Sequence, residues 1–372
     1  MAGSTLGTIF RVTTWGESHG KGLGVVIDGC PAGLALSEAD IQSWLDRRKP
    51  GQSKFTTARQ EGDRAEILSG IFEGRTTGTP IAIEVRNQDQ RSKDYSAIMD
   101  IYRPGHADYT FDAKYGFRDY RGGGRSSGRE TIGRVAAGAV AAKILEQLGI
   151  EIRAYTRAIG PVEISPEEFD WDEMNRNRLY MPDAKAAEAA EGYLEEQMAV
   201  CDSVGGVVEC RIDGLPAGVG EPVFDKLDAN LAKAILSIGA VKGFEIGDGF
   251  EAAKRKGSQN NDGFAFGEGG KGRGGIYKKT NHAGGVLGGI SDGSQVIFRA
   301  AFKPTPSIAR AQETVNRQGQ ERTIEIKGRH DPVIVPRAVV VVEAMAALTV
   351  CDLVLLSMTS RIDRIKEFFE QL

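Results

Sequence analysis

A heptapeptide occurs twice in this chain with a single change: Ile27-Asp-Gly-Cys-Pro-Ala-Gly33 and Ile212-Asp-Gly-Leu-Pro-Ala-Gly218. Each copy ends a strand pattern and precedes a helix pattern. Two further echoes keep the same order. Ile67-Leu-Ser-Gly-Ile-Phe-Glu-Gly74 parallels Val286-Leu-Gly-Gly-Ile-Ser-Asp-Gly293, and Arg125 with Arg134 before a long apolar helix parallels Arg329 with Arg337 before another. One echo could be shared turn chemistry, but three in order indicate an internal duplication. A duplicated chain of this length is restricted to a pseudo-symmetric architecture. The expectation is a single α+β domain spanning residues 1–372, with halves of about 1–186 and 187–372. Its apolar helices should lie centrally between antiparallel sheets.

The stretch ahead of the first apolar helix is Arg121-Gly-Gly-Gly-Arg-Ser-Ser-Gly-Arg-Glu-Thr-Ile-Gly-Arg134. Ser127 with Glu130 has the spacing of a capping box, which predicts a helix start there and a stop at Gly149. A helix N-terminus presents free N–H groups and partial positive charge. Arg121, Arg125, Arg129 and Arg134 crowd that end, with Arg125 and Arg129 expected on one face. One reading is a capped helix with a solvated arginine fringe. The other, favoured because the helix is small and apolar nearly all round, is a buried oxyanion site. The spacing fits neither a dinucleotide fingerprint nor a P-loop.

A net charge of −4 argues against a general nucleic-acid binder, so the arginines read as local sites. The N-terminus lacks the pattern of a signal peptide. The apolar run Ala338 to Leu356 contains Glu343 and Asp352, which marks a core helix rather than a membrane span. Cys30, Cys201, Cys210 and Cys351 have no Cys-x-x-Cys spacing and read as reduced, buried thiols of a cytoplasmic protein. No metal-ligand cluster is expected.

Gly16-Glu-Ser-His-Gly20 sets Ser18 and His19 on a tight loop at a strand end, where His19 reads as an acid–base group or as a plain turn residue. Residues 47–59 read as a basic loop, a solvated charge run that includes Arg48 and Lys54. Residues 86–120 lack periodicity but carry His106 on a Pro-Gly turn, and long irregular segments are usually functional. The glycine-rich segment 251–285 suits a lid. Gly328-Arg-His-Asp-Pro332 puts Asp331 ahead of the second apolar helix, as a site residue or as a turn former.

Together these residues resemble the chorismate synthase family. The likeness rests on Gly16–Gly20, Arg103-Pro-Gly-His-Ala-Asp108, Arg121–Thr131, Asn281-His-Ala-Gly-Gly285, Lys303-Pro-Thr-Pro-Ser307 and Gly328–Pro332, in the family's order from Gly7 to about Leu355. The resemblance implies a β-α-α-β sandwich, a homotetramer, and elimination of phosphate from 5-enolpyruvylshikimate 3-phosphate to give chorismate. It implies reduced FMN as cofactor, without net redox change, and NADPH only as a source of reducing equivalents. Reduced flavin would come from an external flavin reductase, and neither nucleic acid nor membrane is an expected partner.

Carried over by position, His19 would protonate the departing phosphate, His106 would meet the reduced flavin ring, and Asp331 would take or relay the proton or hydrogen beside flavin N5. Arg125, Ser126, Ser127, Gly239, Ala240, Gly288, Lys303, Pro304, Thr305, Pro306, Ser307 and Arg329 would contact FMN. Arg48, Lys54, Arg129, Arg134 and Arg337 would hold substrate or NADP. Lys54 stands where the family commonly has arginine, so fork-type pairing is lost there. Gly128 stands where alanine is frequent, and the glycine-rich insert near 267–275 is longer than in short members. Two readings from other classes are a conventional FMN oxidoreductase and a non-catalytic anion- or RNA-binding protein. The aromatic–basic interleaving of RNA modules is missing.

Overall fold

Strict alternation in several strands gives each a single buried face. Val12 and Thr14 point inward from one strand, Ile81, Ile83 and Val85 from another, and Val296, Phe298, Ala300 and Phe302 from a third. The computed structural model describes residues 3–57, 61–88, 99–121, 123–267, 275–326 and 331–371. In chain order the main elements are β1 (Thr5–Leu6), β2 (Arg11–Gly16), β3 (Gly22–Asp28), α1 (Glu38–Arg48), β4 (Ala65–Ile67) and β5 (Ile81–Arg86). Next come α2 (Asp108–Tyr115), α3 (Thr131–Glu146), β6 (Glu151–Ile159), β7 (Val162–Glu163), α4 (Ala184–Ala199) and β8 (Gly206–Asp213). The chain closes with α5 (Leu227–Leu236), β9 (Val241–Ile246), β10 (Val296–Phe302), α6 (Val335–Ser357) and α7 (Ile362–Glu370).

Two five-stranded antiparallel sheets form, ordered β1-β2-β3-β5-β4 and β9-β10-β8-β6-β7. Helix α3 packs on β2, β3 and β5, α6 packs on β6 and β8, and the two helices pack on each other. Their contact is close because α3 is small. A Cβ on Gly138 would lie 2.5 Å from Ala344 Cα, and one on Gly133 would lie 2.9 Å from the Gly24 carbonyl oxygen in β3. The order strand, strand, helix, strand, helix runs through β2, β3, α1, β5, α3 and recurs through β6, β8, α5, β10, α6. The repeated heptapeptides adopt the same backbone. Gly29 and Gly33 have φ of +79° and +91°, and Gly214 and Gly218 have +77° and +108°. Each second glycine donates its N–H to a strand carbonyl, Gly33 to Thr76 at 2.8 Å and Gly218 to Ser291 at 2.9 Å.

Helix α6 is long and apolar enough to cross a membrane, yet 78% of its most apolar stretch is buried inside the protein. Its two carboxylates are satisfied by the fold. Glu343 accepts the Ala154 N–H at 2.8 Å and pairs with Arg47 at 2.7 Å. Asp352 accepts the backbone N–H groups of Thr8, Ile9 and Phe10 at 2.9, 2.7 and 2.9 Å.

Several expectations are corrected. Ser127 caps through the Arg129 N–H at 3.3 Å, but Glu130 turns away to Arg134 at 2.8 Å, so no capping box forms. Residues 124–126 and 128–130 are two 3₁₀ turns and the α-helix starts at Thr131, so Arg125 and Arg129 do not share a helix face. Residues 186 and 187 fall inside α4, while the element order restarts at Glu151. Cys201 is exposed, whereas Cys30, Cys210 and Cys351 are buried, and all four are unpaired thiols. Segment 251–285 carries short helical turns and a hairpin, Phe264–Phe266 with Ile276–Lys278. Residues 268–274 of the glycine-rich insert lie outside the described residues.

Candidate active site

Helices α3 and α6 run in the same direction, so their N-termini meet. Arg337, in the first turn of α6, donates from Nε to the Arg48 carbonyl at 3.1 Å. Arg48, the last residue of α1, donates from Nε to Thr131 Oγ1 at the start of α3 at 3.1 Å. Both helix dipoles therefore aim at one neighbourhood, and guanidinium groups fill it.

Arg48 is not the solvated residue its basic surroundings suggest: it is 2% exposed and pairs with Asp63 at 2.7 Å. Burial lowers its pKa to about 9 against the pull of Asp63, which leaves it cationic at neutral pH. Arg129 pairs with Asp63 at 3.0 Å and Glu61 at 3.6 Å, and donates to Asn87 Oδ1 at 2.9 Å. The Asn87 amide in turn donates to the carbonyls of Glu17 and Gly20 at 3.0 and 2.9 Å, which fixes the loop that bears His19. Ser18 Oγ lies 3.2 Å from His19 Nδ1. Arg125 clamps the same loop from the other side, with 3.1 Å to the Gly16 carbonyl and 2.6 Å to Thr14 Oγ1. Asp331 accepts from Arg337 at 2.6 Å and from the Thr57 N–H at 2.8 Å.

A second group sits on the turn after β10. His106 Nε2 and Ser307 Oγ are 2.7 Å apart, and Lys303 Nζ donates to the Gly105 carbonyl at 2.8 Å. Gly105 is required here, because its φ is +69° and a Cβ would lie 2.7 Å from Pro306 Cβ. Burial, then the nearby Lys242 ammonium, pull the Lys303 pKa below its usual range. Lys303 also donates its N–H to Ala240, which holds φ of +73°, a conformation rare for alanine. The two groups are joined twice. Ser203 Oγ donates to the Thr305 carbonyl at 2.6 Å while Val204 N–H donates to the Pro332 carbonyl at 2.9 Å. Arg134 donates to Ser237 Oγ at 2.6 Å, three residues before Ala240.

Comparison with known proteins decides what this arrangement belongs to. The chorismate synthase family model matches residues 10–355. Chorismate synthases of Lachnospira eligens and Agathobacter rectalis are 66% and 65% identical, each over 100% of both chains. The chorismate synthase of Thermosynechococcus vestitus is 55% identical over 94% of this chain and 96% of its own. A chorismate synthase crystal structure superposes with a TM-score of 0.76 at 34% identity, covering 98% of both chains. The chain belongs to the chorismate synthase family.

Of the chorismate synthase residues expected from sequence, His19, Arg125, Arg129, Arg48, Arg337 and Asp331 lie on one hydrogen-bonded network. His106, Lys303, Pro306, Ser307 and Ala240 form the adjoining group. Ser126 donates to Gly123 and stays on the surface of its turn. Lys54 is not brought in: it is exposed and pairs with Glu195 on α4 at 2.5 Å. Gly288 stands in a turn whose next residue, Gly289, accepts the Leu227 N–H at 2.8 Å. That is the N-terminal end of α5, about 15 Å of helix from the end that leads to Gly239. Arg329 lies outside the described residues.

Sequence reasoning missed Glu61, Asp63, Asn87 and Thr57, whose residue types look like ordinary loop polarity. A cavity of about 300 Å³ lined by Tyr155, Arg157, Phe169 and Arg211 belongs to the outer face of the second sheet, not to this network.

The chain's groups suit a phosphorylated, planar cofactor. Missing side chains at Gly124, Gly128 and Gly239 leave open space, and Thr305 Oγ1 is buried with no hydrogen-bond partner among the described residues. Clustered guanidinium, ammonium and hydroxyl donors match phosphate and carboxylate.

Proposed function

We propose that this chain removes phosphate and a ring hydrogen from 5-enolpyruvylshikimate 3-phosphate to give chorismate, in the manner named by its relatives. The observation that carries the reading is the continuous network from the His19 loop through Asn87, Arg129, Asp63 and Arg48 to Arg337 and Asp331. Its histidine, carboxylate and guanidinium groups near one pair of helix N-termini support an acid–base and anion-holding reading. The substrate carries a phosphate and two carboxylates, and such charge demands several oriented guanidinium groups.

Arg48, Arg129, Arg134 and Arg337 hold the anionic substrate. His19 delivers a proton to the departing phosphate, a role open to an imidazole near neutral pH. Asp331, oriented by Arg337 and the Thr57 N–H, takes or relays the proton that leaves the ring. Arg125, Ser126, Ser127, Gly239, Ala240, the Lys303–Ser307 turn and Arg329 would hold FMN, and His106 would interact with it. Reduced FMN, when bound, supplies electron density that assists C–O cleavage and ends the cycle still reduced. Gly288 and Lys54 are outside this single-chain set.

The layering supports a β-α-α-β sandwich made by duplication within one domain, with the halves joined near residue 150 rather than 186. We also propose a cytoplasmic homotetramer that receives reduced flavin from a separate reductase. The test is an anaerobic assay with pre-reduced FMN. Chorismate should form while the flavin spectrum stays reduced, and His19→Ala, His106→Ala and Asp331→Asn should each be slower by about tenfold or more. Stoichiometric flavin oxidation would instead indicate an ordinary oxidoreductase.

A further inference from the structure

Glu61 and Asp63 belong to no motif, yet both side chains are fully buried beside the site arginines. One Asp63 oxygen lies 2.7 Å from Arg48 Nη1, and the other 3.0 Å from Arg129 Nη1. Glu61 approaches Arg129 at 3.6 Å and accepts the Gln88 N–H at 3.1 Å. Asp63 has φ of +41°, the left-handed region that a non-glycine residue keeps only when its surroundings impose it. Gln42 of α1 does so, donating to the Asp63 carbonyl at 3.3 Å and accepting the Ala65 N–H at 3.0 Å.

Packing alone does not account for where these arginines go next. Arg48 reaches Thr131 at the start of α3, and its carbonyl receives Arg337, which grips Asp331. Arg129 reaches Asn87, which carries the His19 loop. Three guanidinium groups, of Arg48, Arg129 and Arg337, meet three carboxylates, of Glu61, Asp63 and Asp331. Without those carboxylates the cations would repel each other and swing toward solvent.

We propose that Asp63, supported by Glu61, is a positioning residue that orients Arg48 and Arg129 toward the anionic substrate. This rests on the proposed function. It acts through the arginines and touches neither substrate nor flavin, so its loss should weaken substrate binding selectively.

The experiment is steady-state kinetics of Asp63→Asn with pre-reduced FMN, together with a fluorescence titration of flavin binding. The KM for 5-enolpyruvylshikimate 3-phosphate should rise roughly tenfold while the flavin Kd stays within about twofold. The Arg129→Lys/Asp63→Asn pair should lose less in kcat/KM than the product of the single losses, because both act on one contact. If Asp63→Asn does not fold, Glu61→Gln decides, with a KM rise of about threefold expected. An unchanged KM in a folded variant, KM and flavin Kd rising together, or multiplicative losses would overturn the assignment. A wild type that forms no chorismate overturns the function and the inference together, which is a different result from an active wild type whose variant keeps its KM.

Discussion

Arg103 holds Asp108 with three contacts, from its N–H at 3.0 Å, Nε at 2.7 Å and Nη2 at 2.8 Å, and both residues are buried. The pair closes the turn on which His106 stands. Burial works to raise the Asp108 pKa, but the hydrogen bonds and charge of Arg103 outweigh it and the pKa falls below 3.8. A carboxyl held below its unfolded value adds stability at every pH above that value, and the contribution fades as acid titrates it through the folded pKa. Asp108→Asn should therefore cost about 3 kcal/mol at pH 7, the scale of a broken buried pair. That cost should shrink as the pH drops below about 4. Urea unfolding of both proteins at pH 7 and in acid checks it, and a penalty that grows in acid would be incompatible with the pairing. Residue by residue, legibility followed local chemistry. The turn ahead of His106 was readable because Pro-Gly is a turn signal. Arg48 was misread as solvated, since its partner Asp63 is fifteen residues away in sequence and unremarkable there.

Elements were read more reliably than their ends. The apolar composition of α3 and α6 announced burial, and both are buried on nearly every side. What composition could not announce is how their first turns are satisfied. Glu130 had a choice between the cap and Arg134, and tertiary geometry took it to Arg134 and Thr14. The glycines of α3 show a similar competition. In an isolated helix alanine is better than glycine by about 1 kcal/mol. At Gly138 a methyl group would sit 2.4 Å from Ala344 Cβ and 2.5 Å from its Cα, and Cα is backbone that cannot swing aside. Overpacking of that kind costs about 1–3 kcal/mol, so it should outweigh propensity. Gly138→Ala is expected to lower Tm by several degrees in a thermal melt. A raised Tm would mean that the α3–α6 crossing is looser than described.

At the scale of the whole molecule, the repeated heptapeptides form turns with like glycine backbones, and the strand and helix order repeats from Glu151. Residues 186 and 187 lie within α4, which stands between β6 and β8 and so after the point where the element order restarts. The halves do not stand alone, since α3 and α6 bury against each other and α6 reaches back to the first strands. Asp352 makes that reach specific. Its carboxylate receives three consecutive N–H groups, of Thr8, Ile9 and Phe10, as β2 begins. Removing it leaves those donors without their acceptor, and each hydrogen bond to a charged group contributes about 1.5–3 kcal/mol. Asp352→Ala should therefore destabilise by about 3 kcal/mol or more. If the two repeats form one cooperative unit, the melt should keep a single transition at lower temperature. The residue lies near the C-terminal end of α6, whereas the site gathers at its N-terminus, so KM for the substrate should not change in the folded protein. Two separated transitions would show instead that the repeats unfold independently. A raised KM would show that the staple of Asp352 to β2 is felt along the helix at the site.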